Sequence, residues 1–520
     1  MYLVLAEEMR EMDRLTIESF GVPGRVLMEN AGRGAIRVMQ AHFPGLASGK
    51  VGVLAGRGNN GGDGFVMARY LAFQGVKVTV FLLSKKKKVT GDAGANLALL
   101  GPLDIPVVEI EDRSSLKKKK NAIRRQDIWI DALLGTGLNA DVRGHYREAI
   151  DFVNRQEKPV FSVDVPSGLN ADTGQVCGTC IRARATATFG FAKLGLNVFP
   201  GAELCGTVEV IDIGIPPFIA KAVNPRQFLL TRNTLRTGLG DRAPEAHKGS
   251  TGHVLVIAGS PGKTGAAAMT AMAAMRAGAG LVSLGVPEGL NQAVEPQVTE
   301  VMTIPLPETD NGRLDASAMA VIKAHLAGKR CLAIGPGIGT GDGARQLLHN
   351  LLKKAKAPLV IDADGINLLA GDAQVLKKVR VPVVITPHPG EMARLLHTTP
   401  KHIQEDRIEC ARDVAGTFGL HVVLKGAATV IANPDGSIYI NATGNSGMAS
   451  GGMGDVLTGL IAGFIAQGHS AKTAASLGVY LHGRAADHLF EYRGPFGYLA
   501  TEVMDRIPEE INLLMKGGKV

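Results

Sequence analysis

Three groups of residues in this 520-residue chain have the types and spacing to do chemistry. The first is the turn "AGRGNNGGDGF", where Gly56, Gly58 and Gly61 satisfy the G-x-G-x-x-G spacing of a dinucleotide cradle. Hydride-transfer binding also needs a second strand that ends in a carboxylate for the ribose hydroxyl. Here the next apolar run, Val76 to Leu83, ends in Ser84 and the lysines Lys85 to Lys88. The turn therefore predicts a phosphate or nucleotide cradle in a βαβ unit and argues against an ordinary dehydrogenase.

The second group stands at the ends of later apolar runs. Asp131 follows "DIWI", Asp164 and Ser167 follow "PVFSV", and Lys193 closes "FGFAK". Ligands of a doubly wound sheet collect beyond the carboxyl ends of its strands, so these residues are expected to face one place. Oxygens from Asn60, Asp131 and Ser167 would converge there with no sulfur or imidazole, a donor set for a hard cation rather than zinc or copper. Asp164, facing Lys193 or a bound cation, could abstract and return a proton at a carbon centre. Asp and Asn often end strands only to make turns. The set as a whole weakens that bland reading more than any one residue does.

The third group is "GNSGMASGGMGDVLTGLIAGFIAQG", Gly444 to Gly468, where glycines give way to a long apolar helix. Free N–H groups and the positive end of the helix dipole favour a phosphate there. Asp455 sits at the same helix start. It could deprotonate a hydroxyl attacking a phosphoryl group, or it could simply cap the helix. The nearby "GSPGKTGAAA" is not a P-loop, because only Ser260 and Pro261 separate Gly259 from Gly262.

The elements that must position these residues are strands alternating with amphipathic stretches. In the first half these are "KVGVLAG", "VKVTVFLL", "DIWIDAL", "PVFSVDVP", "ATATFGF" and "GTVEVIDIG". After an aperiodic seam at Pro216 to Gly249 the rhythm restarts with "HVLVIAG", "AGLVSLGVP", "RCLAIGPG", "PLVIDADG", "VPVVITPHPGE" and "HVVLKG". The pattern predicts two α/β domains with mostly parallel sheets, over residues 1–222 and 227–520, with no repeat linking them.

The 45% hydrophobic content permits two sizeable cores, and 66 glycines suit many tight strand-to-helix turns. The net charge of +9 lies partly in two lysine runs, Lys85 to Lys88 and Lys117 to Lys120, flanking a segment that reads as a loop-rich insertion. With no aromatics between the lysines, solvated surface is expected and nucleic acid is not, although the runs could help attract an anionic substrate. Five cysteines form no paired framework, and "CGTC" at Cys177 to Cys180 reads as a turn. Glu7 and Glu8 interrupt the apolar start, and Val456 to Gly468 is too short to span a bilayer, so a cytoplasmic protein with no membrane partner is expected.

"EEMREMDRLTIESFGVPGRVLMENAG", "GRGNNGGDGFVMARYL", "DALLGTGL", "DVPSGLNADTG" and "FAKLG" occur in that order in residues 1–215 and together resemble the NAD(P)H-hydrate epimerase domain. The resemblance implies a Rossmann-like fold that interconverts the R and S epimers of NADHX and NADPHX at the hydrated ring carbon. By position it implies substrate contacts at Asn59, Asn60, Gly61, Gly62 and Asp63. Further contacts fall at Gly135, Thr136, Gly137, Leu138, Asn139, Ala140 and Asp141. It also implies potassium at Asn60, Asp131 and Ser167, with Asp164 as substrate contact and acid–base group and Lys193 as its helper.

From Phe228 onward "GPGIG", "IDADGINLL", "TPHPGEMARLL", "KGAATVI" and "GGMGD" are similar to ADP/ATP-dependent NAD(P)H-hydrate dehydratase, of ribokinase-like fold. That likeness implies phosphorylation of the hydrate hydroxyl by ADP, or ATP, with magnesium, then loss of phosphate to restore NAD(P)H. It implies nucleotide contacts at Lys425, Gly426, Ala427, Ala428, Thr429 and Gly454. It also implies hydrate contacts at Ala266, Gly337, His388 and Asp455, with Asp455 as the base. A homo-oligomer is expected. The rival expectation is a ribokinase-like small-molecule kinase carrying a non-catalytic nucleotide-binding domain.

Overall fold

The structure is a computed structural model that describes residues 1–516. The chain forms two compact units, Tyr2–Gln227 and Phe228–Val520, the latter joined by Met1.

In the first unit seven parallel strands run in the order Val107–Glu109, Lys77–Leu82, Lys50–Ala55, Ile128–Ala132, Val160–Val163, Ala185–Phe189 and Thr207–Ile211. The chain starts in the middle at Lys50–Ala55, builds outward to one edge, then returns to build the other side. This creates a switch point between Lys50–Ala55 and Ile128–Ala132, where connections diverge and a crevice opens beyond the carboxyl ends. Every residue of the Ile128–Ala132 and Val160–Val163 strands is buried, as a sheet covered by helices on both faces requires. A short parallel pair, Tyr2–Val4 against Ala192–Lys193, sets Val4 beside Lys193.

The segment read as a loop-rich insertion is instead ordered. It holds the helix Gly91–Ala98, the edge strand Val107–Glu109 and the helix Arg113–Arg124. Asp112 caps the last helix by accepting the Ser115 N–H at 2.7 Å. Only Leu116 and Ile123 of this helix are buried, an apolar stripe too narrow to stand out among lysines. Lys117, Lys118 and Lys119 are exposed.

The second unit repeats the logic with different connections. Parallel strands run in the order Met302–Leu306, Leu281–Pro287, His253–Ile257, Cys331–Ile334, Leu359–Ile361, Val383–Ile385 and His421–Leu424. Two antiparallel strands, Thr429–Ala432 and Ile438–Asn441, follow. The switch point lies between His253–Ile257 and Cys331–Ile334. The 14-residue helix Met453–Ala466 is buried along most of its length and lies close to the alanine-rich helix Thr264–Arg276. A Cβ on Gly459 would meet the Thr270 carbonyl oxygen at 2.1 Å, so glycine is what lets the two backbones approach. Among the described residues no helix is long and apolar enough to cross a membrane.

Candidate active sites

The first site is a cavity of about 690 Å³ at the switch point of the Tyr2–Gln227 unit, a size that suits a small-molecule ligand. Asn59 and Asn60 open the helix Asn59–Phe73 directly after the glycine turn. Cβ atoms at positions 56 and 61 would lie 2.2 and 2.1 Å from the carbonyl oxygens of Leu133 and Gly56, so these glycines fold the turn tightly under the crevice. Asn59, Asn60, Asp63, Gly135, Thr136, Gly137 and Leu138 line the cavity, as do Asp164 and Lys193. Gly61 and Gly62 do not. They are buried behind the helix start, and a Cβ on Gly62 would strike Met28. Asn139, Ala140 and Asp141 lie outside the lining, as do both lysine runs. A larger open depression of about 960 Å³, lined by Arg155, Lys158, Arg182 and Arg184, lies at the amino end of the Val160–Val163 strand, the wrong end for a ligand of this sheet.

Asp164 has a left-handed backbone (φ 64°), a conformation that costs roughly 1–3 kcal/mol outside glycine and tends to persist at functional sites. Its Oδ1 accepts from Lys193 Nζ at 2.5 Å, from Thr188 Oγ1 at 3.2 Å and from the Phe189 N–H at 3.2 Å. Lys193 is 1% exposed and also donates to the Phe189 carbonyl at 2.8 Å. Burial of two charges is tolerable only when they are paired in this way. Two further carboxyl groups line the same cavity. Burial and the nearby Asp164 push Asp63 well above the usual carboxylate range, and burial pushes Asp13 up to about 6.

Asn60, Asp131 and Ser167 come together beside the cavity. Ser167 Oγ donates to Asp131 Oδ1 at 2.5 Å, while the Ser167 N–H and Ser162 Oγ bind Asp131 Oδ2 at 2.7 and 3.0 Å. Asn60 Nδ2 donates to the Leu134 carbonyl at 2.9 Å, the carbonyl that Ser167 Oγ also reaches at 3.2 Å. Two features suit a monovalent cation. Asn60 Oδ1 is buried without a partner, and Asp131, buried with no cationic side chain bonded to it, is pushed up to about 6.

The second site collects the carboxyl ends of the Phe228–Val520 unit. Lys425, following His421–Leu424, donates to Asp362 Oδ1 at 2.8 Å and lies 3.8 Å from Glu391. Asp362 is 1% exposed and its Oδ2 accepts from Thr458 Oγ1 at 2.8 Å. Burial opposes charge on Lys425, yet Asp362 and Glu391 hold its pKa above the usual lysine value. The helix Met453–Ala466 starts at Gly452 (φ 90°) with no side-chain cap, so Asp455 in its first turn is not a capping residue. Burial and the neighbouring Asp362 push Asp455 up to about 7. A Cβ on Gly454 would lie 3.2 Å from Lys425 Nζ, so glycine keeps that side of the lysine open.

Gly426 (φ 146°), Ala427 and Ala428 (φ 52°) form the tight turn before Thr429–Ala432. Arg407 holds that turn through the Ala427 and Leu424 carbonyls at 2.5 and 3.0 Å, and Thr429 Oγ1 closes onto the Gly426 carbonyl at 3.0 Å. Ala266 and Gly337 are neighbours, with a Cβ on Gly337 falling 3.4 Å from that of Ala266. His388 caps the helix Pro389–Leu395, its Nδ1 accepting from the Gly390 and Glu391 N–H groups at 3.0 and 3.3 Å. Burial lowers its pKa, in keeping with a ring that accepts. Lys263, in the false P-loop, instead pairs with Asp364 at 2.9 Å. Residue-by-residue reading missed Asp13 and Asp362. Asp362 was findable at the end of "LVID", whereas Asp13 lies in a helix far in sequence from the other groups.

Two mostly parallel α/β sheets, each with a glycine-rich helix start and a carboxylate–lysine pair beyond the carboxyl ends of its strands, define a two-domain nucleotide-handling enzyme, Rossmann-like in its first half and ribokinase-like in its second. Residues 254–509 match the NAD(P)H-hydrate dehydratase family, and residues 24–195 match the family described as YjeF-related protein N-terminus. The bifunctional NAD(P)H-hydrate repair enzyme of Moorella thermoacetica is 43% identical over 526 residues, covering 100% of this chain and 99% of that protein. The Escherichia coli enzyme of the same description is 34% identical, covering 98% of this chain and 93% of that protein. Among solved structures, an ADP/ATP-dependent NAD(P)H-hydrate dehydratase from Bacillus subtilis is 32% identical and covers 55% of this chain and 98% of its own, with a TM-score of 0.48. The chain belongs to the family of bifunctional NAD(P)H-hydrate repair enzymes.

Proposed function

We propose that the Tyr2–Gln227 unit interconverts R and S NADHX and NADPHX, and that the Phe228–Val520 unit returns the S epimer to NADH or NADPH at the expense of ADP, with ATP as an alternative. The observation that carries the reading is the contrast between two half-buried carboxylates. Asp164 is ion-paired to Lys193, while Asp455 has no paired cation of its own and is pushed up to about 7.

In the first unit the nucleotide lies over Asn59, Asn60 and the Gly135–Leu138 loop. Asp164 contacts the hydrated ring as an acid–base group, and Lys193 keeps its charge in place. Asn60, Asp131 and Ser167 would hold potassium, which supplies positive charge opposite Asp131 and gives the orphaned Asn60 oxygen a partner.

In the second unit the turn from Lys425 to Thr429, with Gly454, receives the adenine nucleotide. Lys425 offers a positive charge, and the N–H groups that start the helix Met453–Ala466 offer donors, to the phosphates. Asp455 takes the proton of the hydrate hydroxyl as its oxygen attacks the terminal phosphorus. Ala266, Gly337 and His388 border the hydrate. Magnesium bound with the nucleotide supplies further charge neutralisation on the phosphates. The hydroxyl, a poor leaving group, becomes phosphate, a good one; phosphate departs with the C–O bonding pair, a proton leaves the neighbouring ring carbon, and the C–H pair restores the ring double bond.

Incubation of the protein with S-NADHX, ADP and magnesium should yield AMP, phosphate and NADH in equal amounts. A stable phosphorylated product with no NADH would instead identify a small-molecule kinase.

A further inference from the structure

An acid–base group beside Lys193 does not by itself explain how a hydrated nicotinamide inverts. Water adds to the ring across an enamine double bond, which leaves the hydroxyl on the carbon next to the ring nitrogen. The hydrogen on that carbon is flanked by nitrogen and oxygen, neither of which stabilises a carbanion, so its removal by a carboxylate is not a workable route. Exchange of the oxygen is. A proton moves from an acid to the hydroxyl oxygen, the C–O bond breaks with its electron pair leaving as water, and the nitrogen lone pair forms a C=N bond. Water then adds to the other face, the C=N pair returns to nitrogen, and the added water gives a proton to a base. One water leaves and one enters, and nothing is oxidised. The cycle needs one protonated carboxyl group and one carboxylate, where the sequence suggested a single acid–base group.

We propose that Asp13 is the second catalytic residue of this cavity, working with Asp164 so that one carboxyl group protonates the departing hydroxyl while the other accepts the proton of the incoming water. The proposal rests on the reading of the Tyr2–Gln227 unit as an epimerase. Pairing of Val4 with Lys193 fixes the start of the chain beside the site, and the Ala6 N–H, bound to Asp172 Oδ1 at 2.6 Å, anchors the helix Ala6–Arg14 that follows. The last turn of this helix carries Asp13 into the cavity lining. Asp13 Oδ1 is buried and has no hydrogen-bond partner, which leaves it free for a ligand proton or oxygen.

The other charged groups lining the cavity are Arg10, Arg57, Asp63, Asp92, Asp164 and Lys193. The lysine is committed to Asp164, Thr188 and the Phe189 carbonyl, so it holds Asp164 in position rather than meeting the ligand itself. Burial raises Asp13 to about 6, against the pull of Lys193 and with the help of Asp164, so a proton on it is within reach at neutral pH. Asp63, 8% exposed, is likewise raised by burial and by the neighbouring Asp164 and Asp13.

The test uses the full chain with R-NADHX and potassium, without ADP, in water enriched in oxygen-18, following S-NADHX by chromatography and mass spectrometry. Each inversion should insert one oxygen-18 atom. Asp13→Asn should lower kcat by about 10²–10⁴-fold, the range for a positioned acid–base group, with KM for R-NADHX changed less than threefold and partial recovery in Asp13→Glu. Inversion by the unaltered protein without oxygen-18 incorporation would overturn the exchange chemistry. An Asp13→Asn variant within threefold of the parent kcat, or one altered only in KM, would overturn the role of Asp13. Failure of the unaltered protein to invert R-NADHX at all would instead strike the epimerase reading on which the proposal stands.

Discussion

The two halves use the same parts in opposite ways. Each has a glycine-rich turn feeding a helix, with a lysine at the end of a strand and buried carboxylates around it. In the first unit Lys193 is bonded to Asp164, the carboxylate that faces the cavity. In the second, Lys425 is bonded to Asp362, behind the site, and Asp455 at the helix start is left with a proton affinity near neutrality. Where the lysine goes decides what the carboxylate can do. A lysine-paired carboxylate is fixed in position beside the ligand, suited to working with a partner acid. An unpaired one beside a phosphate is poised to take a proton once and give it up.

The sharpest way to separate the halves is to remove each carboxylate in turn. Asp455→Asn is expected to lower ADP-dependent dehydration by about 10²–10⁴-fold while R-to-S inversion continues, as followed by separate chromatographic assays. Equal loss of both activities would break the comparison.

Cutting the ion pair should expose its second function. Lys193→Met leaves Asp164 in its left-handed conformation without its cation, and removing one partner of a buried pair costs about 3–5 kcal/mol. The first unit should unfold at markedly lower denaturant than in the parent, read from the fluorescence of Trp129, fully buried in that unit. Lys425→Met should fell the dehydratase instead, through loss of a charge on the nucleotide.

The pH dependence should also differ. A base must be unprotonated to act, and Asp455 is raised to about 7, so the dehydratase rate should climb as pH rises through that value and level above it. The inversion rate should instead fall as pH rises through about 6, where Asp13 loses the proton it must give to the departing hydroxyl.

Smaller effects bear on the bound ions and nucleotide. Potassium at 100 times its dissociation constant would stabilise the first unit by about 2.7 kcal/mol. Asn60→Ala should abolish that potassium-dependent shift in melting temperature without altering the second unit. Gly454→Ala puts a methyl group 3.2 Å from Lys425 Nζ and should raise KM for ADP about tenfold, equivalent to about 1.4 kcal/mol.

Much of this arrangement was legible in the chain because the chemistry sits at strand ends. Asp131, Asp164, Lys193 and Lys425 each follow an apolar run, and doubly wound sheets bring such ends together. The helix Arg113–Arg124 was misread because two buried residues gave too weak a period against a run of lysines. The edge strand Val107–Glu109 and the hairpin Thr429–Ala432 with Ile438–Asn441 are short and gave little signal. Asp13 could not be placed by any local pattern. Its proximity to Asp164 depends on the parallel pairing of Tyr2–Val4 with Ala192–Lys193, a contact between distant segments.

The most direct measurement follows the NADH absorbance band while an equal mixture of R- and S-NADHX is exposed to ADP, magnesium and potassium, with the parent protein and with Asp164→Asn. The parent should recover NADH from both epimers. The variant should consume the S half at the parent rate and then slow to spontaneous epimerisation. Full enzymatic recovery by the variant would contradict the role of Asp164, and a parent that stalls after the S half would contradict epimerisation by the first unit.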